Sequence, residues 1–295
     1  QAAADAGVDA VKFQTFRADD HYSKYTPGFK YLDKTNTHAL IKSLELDRTW
    51  HEKLKECAEK NGLIFFSSPC DFDAIKSLTK IDTPLYKVAS FDITDNRLVS
   101  EIAKTKKPLI LSTGLANWSD IQFAVNTVKN EGNDQIILLQ CTSLYPAPAH
   151  LTNLNAMYSM RKAFGTLVGY SDHTEGDHIA LAAVAMGACA IEKHFTLSRK
   201  LPGPDHSFAI EPKELKEMTS KIRDIELSFG DGIKNGPRPE EREMYEKGRR
   251  SLHAKVDIQK GQTLNDNMLA IKRPGLGIHP RFRSSVVGRK ANKNI

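Results

Sequence analysis

The sequence predicts an α/β fold: a (β/α)8 TIM barrel lacking its first strand in this chain, followed by a small β-rich domain. Three observations lead there. Between Val8 and about Gly230, seven short β-branched runs alternate with longer amphipathic stretches. Those runs are apolar on both faces, which calls for a parallel sheet covered by helices. Finally, the opening QAAADAG reads as the tail of a helix stopped at Gly7, and a helix there implies a preceding strand. Eight β/α units close a barrel, so the expectation is an N-terminally truncated one, in keeping with the absent initial Met. An open doubly wound sheet is the structural alternative, but neither G-x-G-x-x-G nor G-x-x-x-x-G-K-[ST] follows any strand.

The predicted strands are VDAVKFQ (8–14), LIFFSS (63–68), LYKVAS (85–90), PLILST (108–113), QIILLQCTS (135–143), LVGYS (167–171) and CAIEKHF (189–195). Helices are expected over Arg48–Asn61, Asp73–Lys80, Asn96–Lys104, Asp120–Glu131, Leu154–Phe164, Asp177–Met186 and Pro212–Phe229. Ser119 and Gln122 have the spacing of a capping box, and Asn61-Gly62 is a stop signal. The barrel domain is placed at 1–230 and a charged Gly/Pro-rich linker at 231–248. Over 249–295, short β-like runs broken by KG, ND and PG turns predict a small second domain, ending in a strand-like VVGRKANKNI.

With 295 residues, 40% hydrophobic and 26% charged, the composition excludes disorder, collagen and coiled coil. No apolar run approaches the ~20 residues of a membrane span, and QAAADAGVDA lacks the features of a signal peptide, so a cytoplasmic protein is expected. The net charge of +6 is unevenly spread: Lys247 to Ile295 holds 12 basic and 2 acidic residues. Such an end could bind nucleic acid, present arginines to a small anion, or simply be solvated. Cys57, Cys70, Cys141 and Cys189 have no zinc or disulfide spacing and are expected to be free thiols. Cys141 and Cys189, inside apolar runs, are expected to act as small hydrophobes.

A barrel builds its site at the C-terminal ends of its strands, and here those ends are polar. Two-residue alternation puts Lys12 and Gln14 on the face opposite Val11 and Phe13. The same spacing recurs in Ser143/Tyr145, Ser171/His173 and Glu192/His194, while Lys87, Ser90 and Asp92 end another strand and Ser67/Ser68 and Ser112/Thr113 two more. An inward lysine is costly without an anion, so Lys12 and Lys87 with the nearby serines suggest a phosphate or carboxylate cradle. Snorkelling to solvent and a Schiff-base role are the alternatives. His173 and His194 end the last two strands and can converge on one divalent ion, with Mn²⁺, Mg²⁺, Co²⁺ and Zn²⁺ all compatible. In the PGPDH loop (202–206), Asp205 can accept bonds from sugar hydroxyls, though turn chemistry alone would also place it there.

Taken in order, VKFQT (11–15), FSSP (66–69), YKVAS (86–90), LSTG (111–114), CTSLYP (141–146), GYSDHT (169–174), EKHFT (192–196) and GPDH (203–206) resemble the sialic acid synthase family. RSLHAKVDIQKGQTL with KRPG (272–275) resembles that family's C-terminal SAF, or antifreeze-like, domain. The resemblance covers nearly the whole chain. It implies condensation of phosphoenolpyruvate with an open-chain N-acyl hexosamine and water, with loss of phosphate. By the same resemblance Lys12, Ser68, Lys87, Ser90, Ser112, Ser143 and Ser171 would hold phosphoenolpyruvate. His173 and His194 would bind Mn²⁺ or Mg²⁺, and Gln14, Asp92, Tyr145 and Asp205 would face the sugar. In the family the SAF domain of one subunit caps its partner's barrel, which makes Arg273 the candidate to cross a domain-swapped homodimer.

Two positions depart from the family pattern: Asp92 stands where many N-acetylneuraminate synthases carry Glu, and Ser143 where some carry Asn. Both point to a legionaminic- or pseudaminic-type precursor as the alternative sugar. The family's first-strand E-x-G-x-N-H segment is not in the sequence. Two other classes compete. A different phosphoenolpyruvate or aldolase barrel would need a second phosphate site, and a polyanion-binding protein would need aromatic interleaving or a recognition helix in the basic end. The sequence offers none of these. Neither nucleic acid nor membrane is expected as a partner.

Overall fold

A computed structural model describes residues 1–28 and 36–295. The chain divides into two compact units, Gln1–Phe229 and Gly230–Ile295. In the first, seven strands pair in parallel and in chain order: β1 (Ala10–Thr15), β2 (Ile64–Pro69), β3 (Tyr86–Val88), β4 (Leu109–Ser112), β5 (Ile136–Cys141), β6 (Leu167–Asp172) and β7 (Ile191–Lys193). All seven sequence-predicted strands are present. In a flat sheet the outer two of seven strands would lie roughly 29 Å apart. Instead Lys12 Nζ of β1 sits 3.0 Å from a Glu192 carboxylate oxygen of β7, so the sheet curls until side chains from its two edge strands meet.

Helices cover the outside. They are α1 (Ala2–Asp5), α2 (Ala18–His21), α3 (Thr37–Ser43), α4 (His51–Lys60), α5 (Phe72–Lys80), α6 (Asn96–Lys104), α7 (Trp118–Asn130), α8 (Asn155–Phe164), α9 (His178–Ala185) and α10 (Pro212–Ser228). Gly7 (φ +79°) and Gly62 (φ +74°) supply the left-handed turns that end α1 and α4. Helix α7 corrects one expectation. Its cap is Asn117, not Ser119: the Asn117 side chain accepts from the amides of Ser119 and Asp120, and Asp120 reciprocates by accepting the Asn117 amide. Asp120 therefore sits at the third helical position, where a carboxylate reaches back to the cap, and the helix begins at Trp118.

Side-chain alternation divides the apolar residues between two cores. Leu109, Leu111, Leu138, Val88 and Val168 face the helices, packed with Leu78, Ile102 and Val128. Phe66, Ile110 and Leu139 face inward and, with Ala10, Leu85, Ile137 and Ala190, plug the barrel at the N-terminal ends of the strands. At Gly169 a Cβ would lie 2.4 Å from the Ala190 carbonyl, so only glycine lets β6 approach that plug. Two residues further along each strand, the same inward rows turn polar at Lys12, Lys87, Ser112, Ser171 and Glu192. Cys189 corrects another expectation: it is exposed just ahead of β7, while Cys141 is buried.

The second unit holds α11 (Arg242–Gly248), the antiparallel pair β8 (Ser251–Ala254) and β9 (Leu269–Lys272), and α12 (Arg283–Val286). Ile258, Leu264 and Ala291 form its small core. The strand expected in VVGRKANKNI is instead the end of α12, a turn at Gly288 (φ +88°) and a lone bridge from Lys290 to Thr263. The left-handed glycine breaks the extended run. Among the described residues no helix is long and apolar enough to cross a membrane.

Candidate active site

The mouth of the barrel is a cavity lined by Lys12, Gln14, Lys87, Ser90, Asp92, Ser112, Tyr145, Ser171, His173, His194 and Asp205. Its floor is an ionic network. Glu192 lies 3.0 Å from Lys12 Nζ and 3.7 Å from Lys87 Nζ, and accepts a 2.9 Å bond from the Ser171 hydroxyl. Lys87 is 1% exposed and also donates to the Ser112 hydroxyl (2.6 Å) and the Val88 carbonyl (2.8 Å). Burial pushes its ammonium down from 10.5 to about 8, against the pull of Glu192. Burial alone would raise the Glu192 carboxyl, but the two ammonium groups override it and hold it well below the usual range. Two cations share one carboxylate, so the floor keeps an unneutralised positive charge.

The serines crowd beside it. The Gly114 amide donates to Ser90 Oγ at 3.0 Å, and a Cβ on Gly114 would fall 2.8 Å from Ser90 Oγ and 2.4 Å from Ser143 Oγ. Ser143 Oγ is buried with no hydrogen-bond partner among the described residues, and Ser143 is not on the cavity wall. The Ser90, Ser112 and Ser171 hydroxyls on the cavity wall beside two ammonium groups suit an anion that is also a hydrogen-bond acceptor. Two further predicted residues also lie off the cavity wall. Ser68 is fully buried and donates to the Lys87 carbonyl, bracing β2 to β3, where the strands pair only at Ser67 and Tyr86. Arg273 is exposed just after β9 in the second unit.

Across the mouth, the His173 and His194 rings stand 5.2 Å apart, with Tyr145 4.3 Å from His173. His173 Nδ1 is 2.8 Å from the Thr142 carbonyl and must donate to it. His194 Nδ1 lies 3.3 Å from an Asp205 carboxylate oxygen. In both rings an acceptor holds Nδ1–H and leaves Nε2 a lone pair, the arrangement that orients metal-binding imidazoles. Two imidazoles with Nε2 available fit two positions of a divalent cation. Burial raises the Asp205 carboxyl, but its bond to His194 prevails and leaves it below its ordinary value.

Several cavity residues had no part in the sequence prediction. His21, at the end of α2, lies 3.7 Å from Asp92, and Cys70 Sγ lies 3.5 Å from the other Asp92 oxygen. Among the described residues these three form the one His/Cys/Asp group whose donor atoms all fall within 4.8 Å of one another. Burial, only partly offset by His21, raises the Asp92 carboxyl; burial and Asp92 push the Cys70 thiol well up. Cys70 directly follows a strand, a signal available in the sequence, whereas His21 sits in a four-residue helix without a readable period. The pairing of Glu192 with both lysines was likewise unreadable, because it crosses between the first and last strands.

Comparison with known proteins decides the family. The NeuB family model matches residues 1–234 and the SAF domain model residues 249–295. The chain belongs to the NeuB family. It is 42% identical to the N,N'-diacetyllegionaminic acid synthase of Campylobacter jejuni over 99% of this chain and 89% of that protein. It is 36% identical to the pseudaminic acid synthase of Helicobacter pylori over 98% of this chain and 86% of that one. The crystal structure of N-acetylneuraminic acid synthetase from Leptospira borgpetersenii serovar Hardjo-bovis, in complex with citrate, superposes with a TM-score of 0.74 at 33% identity. That match covers 82% of this chain and 81% of the other. This NeuB chain is therefore an enzyme of the sialic, legionaminic and pseudaminic acid synthase group, with a C-terminal SAF domain.

Proposed function

We propose that the cavity condenses phosphoenolpyruvate with an N-acyl hexosamine and water, giving a nonulosonic acid and phosphate. The observation that carries this reading is the floor: among the described residues, the Lys12 and Lys87 ammonium groups lie within 4 Å of a single carboxylate, Glu192. An anion with several acceptor oxygens would complete both the charge and the hydrogen bonds there. C3 of the enol phosphate would attack the open-chain aldehyde, whose oxygen takes up a proton. Water then adds at C2, and phosphate leaves by C–O cleavage. Ser90, Ser112 and Ser171 would orient the anion, while Gln14, Asp92, Tyr145 and Asp205 would meet the sugar.

His173 and His194 would hold Mn²⁺ or Mg²⁺, which when bound polarises the aldehyde oxygen. Their Nδ1 contacts fix both rings beforehand, and Tyr145 and Phe208 pack around them to limit water. Arg273 would act across a homodimer. For the sugar, Asp92 and the 42% identical relative favour a diacetamido hexose of the legionaminic type over N-acetylmannosamine. The test is phosphate release from phosphoenolpyruvate and Mn²⁺ with a panel of N-acetylmannosamine and epimeric diacetamido hexoses. Turnover with one panel member, stopped by EDTA, is expected; no turnover with any would overturn the reading.

A further inference from the structure

We propose that His21, Cys70 and Asp92 form a second metal site, selective for a thiophilic divalent cation such as Zn²⁺ or Cd²⁺, whose occupation blocks the sugar side of the cavity. The three donors come from the segments that follow β1, β2 and β3, which are neighbours in the sheet. The two imidazoles already described come from the ends of β6 and β7. The sites share a cavity but no residue.

Geometry and donor chemistry carry the assignment. Around a tetrahedral zinc at ordinary bond lengths, sulfur, nitrogen and oxygen donors stand about 3.3–3.7 Å apart. Cys70 Sγ and an Asp92 oxygen are 3.5 Å apart, His21 Nδ1 and the other Asp92 oxygen 3.7 Å, and all three donors lie within 4.8 Å. Small side-chain rotations close the set around one ion. Packing orients the His21 ring, which is stacked 6.4 Å from Phe16 and edge-on 4.8 Å from Tyr22. Three protein ligands leave a fourth position open, and a set containing a thiolate favours zinc or cadmium over Mg²⁺ or Mn²⁺. On binding, the Cys70 thiol gives up the proton that it now shares with Asp92, and that proton goes to solvent.

Asp92 is the link to function. Once it is a ligand, its carboxylate no longer accepts bonds from the sugar, whereas the contacts among Lys12, Lys87 and Glu192 are kept. Inhibition should therefore compete with the sugar and not with phosphoenolpyruvate. This part rests on the proposed synthase reaction; the metal site itself does not.

The experiment titrates the metal-free protein with Cd²⁺, following the ultraviolet thiolate-to-metal charge-transfer band. One tight equivalent is expected, kept in Cys141→Ser and His173→Ala and lost in Cys70→Ser. His21→Ala should retain a band but bind at least about tenfold more weakly, which keeps the test open if Cys70→Ser does not fold. In the Mn²⁺-loaded enzyme, added Zn²⁺ should raise the sugar KM with the phosphoenolpyruvate KM unchanged. No tight band, or a tight band that survives in Cys70→Ser, overturns the site. A band without sugar competition overturns the blocking role alone, and a protein without turnover leaves the spectroscopic result standing.

Discussion

The floor and the rim of this cavity are built differently. On the floor every charged group is braced: Lys87 has a carboxylate, a hydroxyl and a carbonyl around it, and Glu192 joins β1, β3 and β7. On the rim the contacts are longer and more open. Asp205 is 52% exposed and 3.3 Å from His194, and His21 reaches Asp92 at 3.7 Å from a helix of only four residues. In the proposed reaction, stiffness belongs where the anion would bind, and adjustability where the sugar would bind. The floor is set by strand residues whose positions the hydrogen-bond ladder fixes, whereas the rim is set by loops and α2.

The strongest way to break that contrast is to loosen a brace. Lys193 pairs with Asp172 at 2.7 Å with both side chains almost wholly buried, and it also donates to the Thr174 carbonyl. This cluster ties the end of β6 to β7, just below the two histidines. Asp172→Asn leaves a buried ammonium uncompensated and should cost about 3–5 kcal/mol in urea unfolding. Asp205→Asn, on the open rim, should cost less than about 1 kcal/mol. Equal losses would mean that the strands carrying the floor are no better braced than the rim.

The next effect is on pH. Lys87 titrates near 8 in the folded chain and near its ordinary 10.5 when unfolded, so between those values the unfolded state binds more protons. Without an anion, this lysine makes stability rise from about pH 8 to pH 10.5. Its contribution to anion affinity runs the other way: charged below pH 8, it would hold the proposed phosphoenolpyruvate, and above pH 8 the affinity should fall. Lys87→Met should remove both dependences, leaving weak anion binding that varies little across the window. Calorimetric titration with phosphoenolpyruvate over this range, on both proteins, is the measurement.

How much of this was legible follows the same division. Strand order, the helical coat and the inward rows of Lys12, Lys87 and Ser112 were readable because a period of two fixes the facing of a strand residue whatever it later touches. The brace on those lysines was not. Glu192 meets Lys12 only when the sheet curls through seven strands, and no local pattern encodes a partner 180 residues away. Helices α2 and α3 escaped because four and seven residues give too little period to see, and with them went His21. The α7 cap was misplaced by two residues because Ser119 and Gln122 have the right spacing, as do Asn117 and Asp120, and only backbone geometry chooses between them.

A smaller effect separates floor from rim without touching any charge. Gly114→Ala would place a methyl 2.4 Å from Ser143 Oγ and 2.8 Å from Ser90 Oγ, so both hydroxyls must move. Overpacking of this kind costs about 1–3 kcal/mol. It should appear chiefly as a raised phosphoenolpyruvate KM, with the sugar KM little changed.

The smallest effect should come from the rim itself. Asp92→Glu adds one methylene and restores the residue that many N-acetylneuraminate synthases carry. If the rim adjusts as its long contacts suggest, the sugar KM should shift within about tenfold and the preference between N-acetylmannosamine and diacetamido hexoses should change. The phosphoenolpyruvate KM should change less, because the charge that Asp92 presents to Lys87 is the same in Glu. An equal change in both constants would mean that the two regions are mechanically coupled through Cys70 and the end of β2, and the division between a stiff floor and an adjustable rim would fail.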